Sequence, residues 1–329
     1  MTSLRIATFN LENLDVRPGQ TRPLPERVSA LRPQLIRLAA DILCLQEVNA
    51  QTCGPHRPRR LAALDRLLED TPYAGCHRAT TTLTGREGPA DRHNLVVLSR
   101  FPILASRQIY HELVPPLTYR FSAALPKAEA PIEVMWDRPL LEVTIELPEG
   151  RRLHIVNLHL KAPLAVAVPG QKVSAEHWRS LGGWAEGFFL AAVKRAGQAL
   201  EARLVIERLF DAEPSALIAV CGDFNADCHE MPVRIVLGGE VDEAGKAHAD
   251  RVLIALERAL PAARRYSVIH AGQPVMLDHL LVSRALAAWL HRTEIHNEGL
   301  RDEALDPVSA HPSAGSYHAP VVAEFAMDD

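Results

Sequence analysis

No run of about twenty apolar residues exists in this chain, so a membrane-spanning helix is not expected. No apolar leader core precedes the first motif in MTSLRIATFN, which argues against secretion. Cysteine is sparse: five residues, an odd number, with no CxxC spacing. That excludes a paired-cysteine zinc site and makes a disulfide framework a poor fit, so a reducing, cytoplasmic setting is expected. Cys44 and Cys221 lie in apolar runs and read as core; Cys53, Cys76 and Cys228 read as close to loops. There is no excess of positive charge either. Lys and Arg total 36 against 40 Asp and Glu, a net −4. This is not the profile of a protein that coats nucleic acid, although a local basic cleft or bound metal can still hold phosphates. The Walker loop, the GxSxG elbow and the HExxH helix are all missing. No Gly/Ser-rich or Pro-rich linker divides the 329 residues, so one domain over 1–329 is expected despite a length that would allow two.

What is present is a set of apolar runs that each end or begin at an acid, an amide or an imidazole. In CGDFNADC, Asp223 and Asn225 follow the strand-like run 217–220. Residues two apart on an extended chain face one side, so the acid and amide can converge on a hard metal ion or a water. IATFNLENL ends its run at Asn10, and DILCLQEV ends at Glu47. LHIVNLHLK sets Asn157, His159 and Lys161 at alternate positions. LDHLLVS carries Asp278, and YHAPVV places His318 before a last strand, 321–325. One such strand end is an ordinary cap; the whole set, in this order, points to a shared site to which both chain ends contribute.

Between the motifs, strand and helix signals alternate, which makes the fold class α/β. Helices are expected over 27–40, 59–69, 252–260 and 283–290, with a long one over 176–210 broken near Gly182-Gly183. Strands are expected over 95–98 and 103–109, and 132–147 and 153–160 should form a hairpin around Pro148-Glu149-Gly150. LCLQE and AVCGD form a faint internal repeat, each with a Cys near its end and a helix before it. The stretches 111–130, 162–174 and 238–249 look like peripheral loops, which in a compact domain often face substrate.

The ordered set TFN, LQEV, NLHLK, GDFN, LDHLLVS and HAPVV resembles the endonuclease/exonuclease/phosphatase superfamily, from Asn10 to His318. The resemblance implies a four-layer sandwich of two mixed β-sheets flanked by helices, as in deoxyribonuclease-I-like proteins, and metal-dependent hydrolysis of phosphate esters. Glu47 is the leading ligand for Mg²⁺ or Mn²⁺, a hard oxygen donor at a strand end. Asn10 would join the metal shell or hold a carboxylate in place. Zinc fits poorly, since no Cys/His cluster accompanies Glu47 in the sequence. By superfamily usage Asp223 orients or deprotonates the attacking water, or is a second metal ligand, and Asn225 fixes the water or phosphate. His318 is expected to pair with Asp278, and His159 to donate to a phosphoryl oxygen, with Asp91 a weak candidate for its acidic partner. Arg138 in WDRPL, Lys161 and Asn157 are the expected substrate-binding residues, and Asn94 stands near the cleft. One departure is visible: the superfamily usually has Asp before the last catalytic His, and here the residue is Tyr317. The expected function is a nuclease acting on DNA or RNA. The alternative is a phosphatase or phosphodiesterase acting on a small or lipid-linked phosphate, which the charge balance and the apolar loop 164–168 favour. The sequence leaves the oligomeric state open.

Overall fold

The computed structural model describes residues 2–16, 22–52, 54, 57–83, 87–174, 177–239, 248–309 and 312–327. In chain order its strands are β1 (Thr2–Leu14), β2 (Ile42–Val48), β3 (His77–Thr80), β4 (Asn94–Ser99), β5 (Ile103–Ile109), β6 (Leu117–Tyr119), β7 (Ile132–Val134), β8 (Leu140–Glu146), β9 (Arg152–His159), β10 (Leu217–Asp223), β11 (Ile254–Ala255), β12 (Val268–His270), β13 (Gln273–Val275), β14 (Asp278–Val282), β15 (Leu290–Ile295) and β16 (Val321–Met327). The main helices are α1 (Leu24–Leu38), α2 (Ala62–Leu68), α3 (Leu181–Ala212) and α4 (Met231–Leu237).

Two six-stranded sheets hold twelve of the strands, in the orders β15-β16-β1-β2-β4-β3 and β11-β14-β10-β9-β8-β5. Each has one parallel pair at its centre, β1 with β2 and β9 with β10, and every other pairing is antiparallel. Reading the second sheet backwards reproduces the first in order and direction. The faint repeat between LCLQE and AVCGD is therefore a repeat of whole sheets. A parallel pair needs a crossover, and α1 and α3 supply the two.

Central strands bury both faces, so their sequences are continuously apolar and side-chain alternation assigns each residue to a layer. Leu4, Ile6, Ile42 and Cys44 meet Leu153, Ile155, Ala219 and Cys221 between the sheets. Ala7, Phe9, Leu43 and Leu45 face Leu31 and Leu35 of α1. Val156, Ile218 and Val220 face Ala199 and Ile206 of α3. The result is the expected four-layer sandwich.

Local expectations needed correction in four places. Residues 252–260 form no α-helix: β11 is drawn onto the edge of β14, and a 3₁₀ turn, Leu256–Ala259, follows. The helix expected over 283–290 is one turn, Arg284–Ala287, because Leu290 already pairs in β15. The single strand expected over 132–147 is two, with β7 in a separate hairpin with β6. The long helix is unbroken: Gly182-Gly183 form its first turn, where the Ser180 hydroxyl accepts the Gly183 N–H at 3.0 Å. Cys53, Glu176 and residues 240–247 of the expected 238–249 loop lie outside the described residues.

Candidate active site

Three neighbouring strands end in one row. Asp223 on β10 is the register partner of His159 on parallel β9 and of Asp278 on antiparallel β14. Paired residues present their side chains on one face, so the three groups are adjacent by construction. Gly222 lets the strands approach this closely: at φ +138° an added Cβ would fall 1.9 Å from the Leu158 carbonyl oxygen. Glu47 arrives from the other sheet. Its backbone is left-handed, φ +57°, at an irregularity in the β2–β4 register. Its Oε2 accepts the Asn13 N–H at 2.9 Å. Asn10 bridges the sheets, its Nδ2 donating to Asp223 Oδ2 at 3.0 Å and Glu47 Oε1 at 3.4 Å. His159 Nε2 stands 3.3 Å from Asp223 Oδ2 and 3.8 Å from Glu47 Oε1. His318, from the turn before β16, places Nδ1 2.7 Å from Asp278 Oδ2. Glu47, His159, Asp223 and His318 line a cleft of about 970 Å³, with Asn10 and Asp278 buried behind them; its other lining residues include Arg138, Lys161, Asn225, Leu164, Val275 and Tyr317.

The two imidazoles are driven in opposite directions. Burial works against a charge on His318, but Asp278 outweighs it and lifts the pKa to about 10. Burial and then the Arg138 charge hold His159 well below its ordinary value. At neutral pH His318 is a cation and His159 is neutral. Burial, reinforced by Asp278, pushes Asp223 up to about 7. The floor thus holds more carboxylate than it can ionise unaided. Glu47, His159 and Asp223 offer ligand atoms that all lie within 4.8 Å of one another. Asp278 Oδ1 is buried without a partner. Hard oxygen donors with unmet negative charge fit Mg²⁺ or Mn²⁺, with Glu47 and Asp223 as the carboxylates that would hold it.

The Endonuclease/Exonuclease/phosphatase family matches residues 7–318. The chain belongs to this family. Its fold is similar to that of a family protein from Bacteroides thetaiotaomicron, at 16% identity and TM-score 0.58, covering 100% of this chain and 97% of that one. A D. rerio TDP2 humanised by 14 mutations matches at 15% identity and TM-score 0.56, covering 98% of both chains. An AP endonuclease from Archaeoglobus fulgidus matches at 16% identity and TM-score 0.50, covering 98% of this chain and 99% of that one. At such identities the likeness is one of fold. No curated protein matches the sequence.

Within this family member, Glu47, His159, Asp223, Asp278 and His318 converge as the motifs suggested. Arg138 lines the cleft with one buried guanidinium nitrogen, Nη1, lacking a hydrogen-bond partner. Lys161 also lines it, 3.4 Å from Asp137 Oδ2. Asn225 is at the cleft edge, its Nδ2 held by the Leu160 carbonyl at 3.0 Å. Two expectations are corrected, for Asn157 and for Asp91. Asn157 does not reach the cleft: it is fully buried between the sheets, with Oδ1 accepting from Gln46 Nε2 at 2.7 Å and Nδ2 donating to the Leu45 and Val96 carbonyls. Asn10 turns its amide oxygen to the Glu12 N–H at 2.9 Å. Its NH₂ holds the Asp223 and Glu47 carboxylates in place, one of the two roles expected of it. Asp91 pairs with Arg59 at 2.8 Å, and the acid beside His159 is Asp223. Asn94 is buried and holds the Val48 and Ala90 carbonyls. His159 also stands beside Glu47, so an imidazole does accompany that carboxylate in space. Tyr317 turns its hydroxyl away, to Asp306 Oδ2 at 2.9 Å.

Several cleft residues escaped the motifs. His93 bonds Asn13 Oδ1 at 2.9 Å, with its ring 6.2 Å from that of His159. Its left-handed backbone, φ +56°, aims it in a way no periodicity reports. Glu12, also left-handed, and Arg22 line the cleft as well. Beneath the floor, His279 alternates with Asp278 on β14 and points the other way. Its Nδ1 meets Glu257 Oε1 at 2.6 Å, and its Nε2 donates to the Ala226 carbonyl at 2.8 Å. A carbonyl at one nitrogen and a carboxylate at the other favour the charged, doubly protonated ring. Burial opposes that charge, Glu257 outweighs burial, and the pKa is raised.

Proposed function

We propose that the chain is a divalent-metal-dependent hydrolase of phosphodiester bonds, a nuclease acting on DNA or RNA, with residues 1–329 working as one catalytic domain. The observation that best supports it is the His159–Asp223–Asp278 row facing Glu47, with the unpaired nitrogen of Arg138 on the cleft wall. Carboxylates on the floor and an unsatisfied guanidinium above it suit an anion that must be bound and attacked at once. A Mg²⁺ or Mn²⁺ held by Glu47 and Asp223 would neutralise phosphoryl charge and acidify water.

The chain's own groups divide the remaining work. Arg138 binds a phosphoryl oxygen as a charged fork, and Lys161 contacts the flanking backbone. Asp223, with Asn225, orients the attacking water and takes its proton. Asp278 holds Nδ1–H of His318, which leaves the charged Nε2–H to donate to a phosphoryl oxygen as negative charge builds there. Neutral His159 donates a hydrogen bond without bringing a second cation. Free Cys44, Cys76, Cys221 and Cys228 support a reducing, cytoplasmic setting. Among the described residues no helix is long and apolar enough to cross a membrane.

The apolar wall made by Pro163, Leu164, Val268, Val275 and Leu277 favours a second reading, a phosphate carried on an apolar or lipid group. A panel of plasmid DNA, single-stranded RNA, bis-p-nitrophenyl phosphate and inositol phosphates in Mg²⁺ buffer separates the two. Cleavage of the nucleic acids and the diester is expected. Turnover confined to the inositol phosphates would reject the nuclease assignment.

A further inference from the structure

Arg22 lines the same cleft, yet the chemistry above gives it no task. Its guanidinium carbon lies 4.5 Å from the centre of the Tyr317 ring. Nη1 donates to Glu12 Oε1 at 3.2 Å and to the Gly315 carbonyl at 3.3 Å. Among the described residues Nη2 and Nε make no hydrogen bond.

The support beneath Arg22 is rigid. Tyr317 is 3% exposed. Its hydroxyl donates to Asp306 Oδ2 at 2.9 Å and its backbone N–H to Glu12 Oε2 at 2.8 Å. Behind it, buried Arg27 donates to the Gly315 carbonyl at 2.8 Å and to the Glu12 carbonyl at 3.1 Å, tying the two loops together. A guanidinium stacked on a fixed aromatic face keeps its edge donors in one plane, the arrangement that matches a phosphate. Arg22 already pairs with one carboxylate, Glu12, at 3.2 Å, and an acid at position 317 would add a second. The tyrosine orients the arginine without adding negative charge.

We propose that Arg22, shelved on Tyr317, is a second anion subsite, taking a phosphate adjacent to the one attacked beside His318. The subsite rests on the phosphodiester assignment and narrows it to substrates with neighbouring phosphates, such as a nucleic-acid strand. Glu12 sets the near edge of the guanidinium and Tyr317 its plane, so only the outer edge is offered to substrate.

The test is calorimetric binding of three phosphorothioate-linked dithymidines in Mg²⁺ buffer: unmodified, 5′-phosphorylated and 3′-phosphorylated. For the wild-type protein one of the terminal phosphates should tighten binding about tenfold, the scale of one charge-assisted hydrogen bond. Arg22→Gln should remove that gain and leave the unmodified probe unchanged, with Arg22→Lys intermediate. Tyr317→Phe, which keeps the ring, should retain the gain, and Tyr317→Leu should lose it. A wild-type protein that binds all three probes equally would overturn the subsite alone, as would an Arg22→Gln change that weakens all three alike. A wild-type protein that binds none of them would overturn the phosphodiester assignment and the subsite together.

Discussion

Asp278 Oδ2 and His318 Nδ1, forty positions apart in sequence, lie 2.7 Å apart and decide which nitrogen the imidazole turns to the cleft. The bond occupies Nδ1 and leaves Nε2 for substrate. If the pair acts as one unit, His318→Ala and Asp278→Asn should each lower kcat at least about a hundredfold, the scale of losing a positioned acid–base group. The double variant should cost little more than His318→Ala. Multiplicative losses in steady-state kinetics would mean that Asp278 has a separate task.

The same pair sets a pH dependence of stability. Folding raises the His318 pKa from 6.5 to about 10, so its contribution is full below pH 6.5 and is lost as pH rises through about 10. Folding also raises Asp223 from 3.8 to about 7, so the stability it adds is present below pH 3.8 and lost as pH rises through about 7. Both effects have the same sign, and metal-free protein should melt at progressively lower temperature from pH 5 to 10. Asp278→Asn should flatten the curve between pH 7 and 10, the window in which the His318 contribution is lost. Identical slopes in thermal melts of the two proteins would show that the carboxylate does not hold the proton on His318.

A bound cation requires Asp223 to be ionised, and near neutrality the metal-free carboxyl is partly protonated. Adding Mg²⁺ at pH 6.5 should therefore release protons, measurable in a weakly buffered pH-stat. Asp223→Asn should release far fewer, and Glu47→Gln should bind the ion weakly. Activity should vanish in excess chelator and return with Mg²⁺ or Mn²⁺. Full activity in chelator, with no metal retained by elemental analysis, would rule out the metal site.

Much of the site was legible because a buried strand that stops at a polar residue leaves a strong local contrast. Glu47, Asp223, Asp278 and His318 all stand at such edges. Asn157 shows what that contrast does not carry. Alternation correctly places it on the same side as His159, but not its depth: His159 is at the strand end, where the cleft opens, and Asn157 is one step deeper between the sheets. His93 and Glu12 were hidden for another reason, since left-handed turns aim their side chains and no periodicity reports a turn. In 252–260 the leucine spacing fits a helix, yet the unpaired edge of β14 captures Ile254–Ala255. Tertiary pairing overrode a local preference there.

His279 and Glu257 give the last prediction. Both are fully buried, and Glu257 Oε2 has no partner. Removing one member strands a charge, so His279→Leu or Glu257→Met alone should cost about 3–5 kcal/mol. The double variant, apolar throughout, should regain most of that in denaturant unfolding, since it leaves no charge unpaired. Activity should not follow stability. The His279 N–H holds the Ala226 carbonyl, immediately after Asn225, and so fixes the turn that carries Asp223 and Asn225. The Phe224 ring, edge-on to the imidazole at 5.1 Å, packs the same turn from beside it. With that donor gone, kcat should stay at least about tenfold low even in the restabilised double variant, with KM little changed, because a loosened nucleophile position weakens the transition state more than substrate binding. Recovery of kcat together with stability would show that the pair only holds the fold.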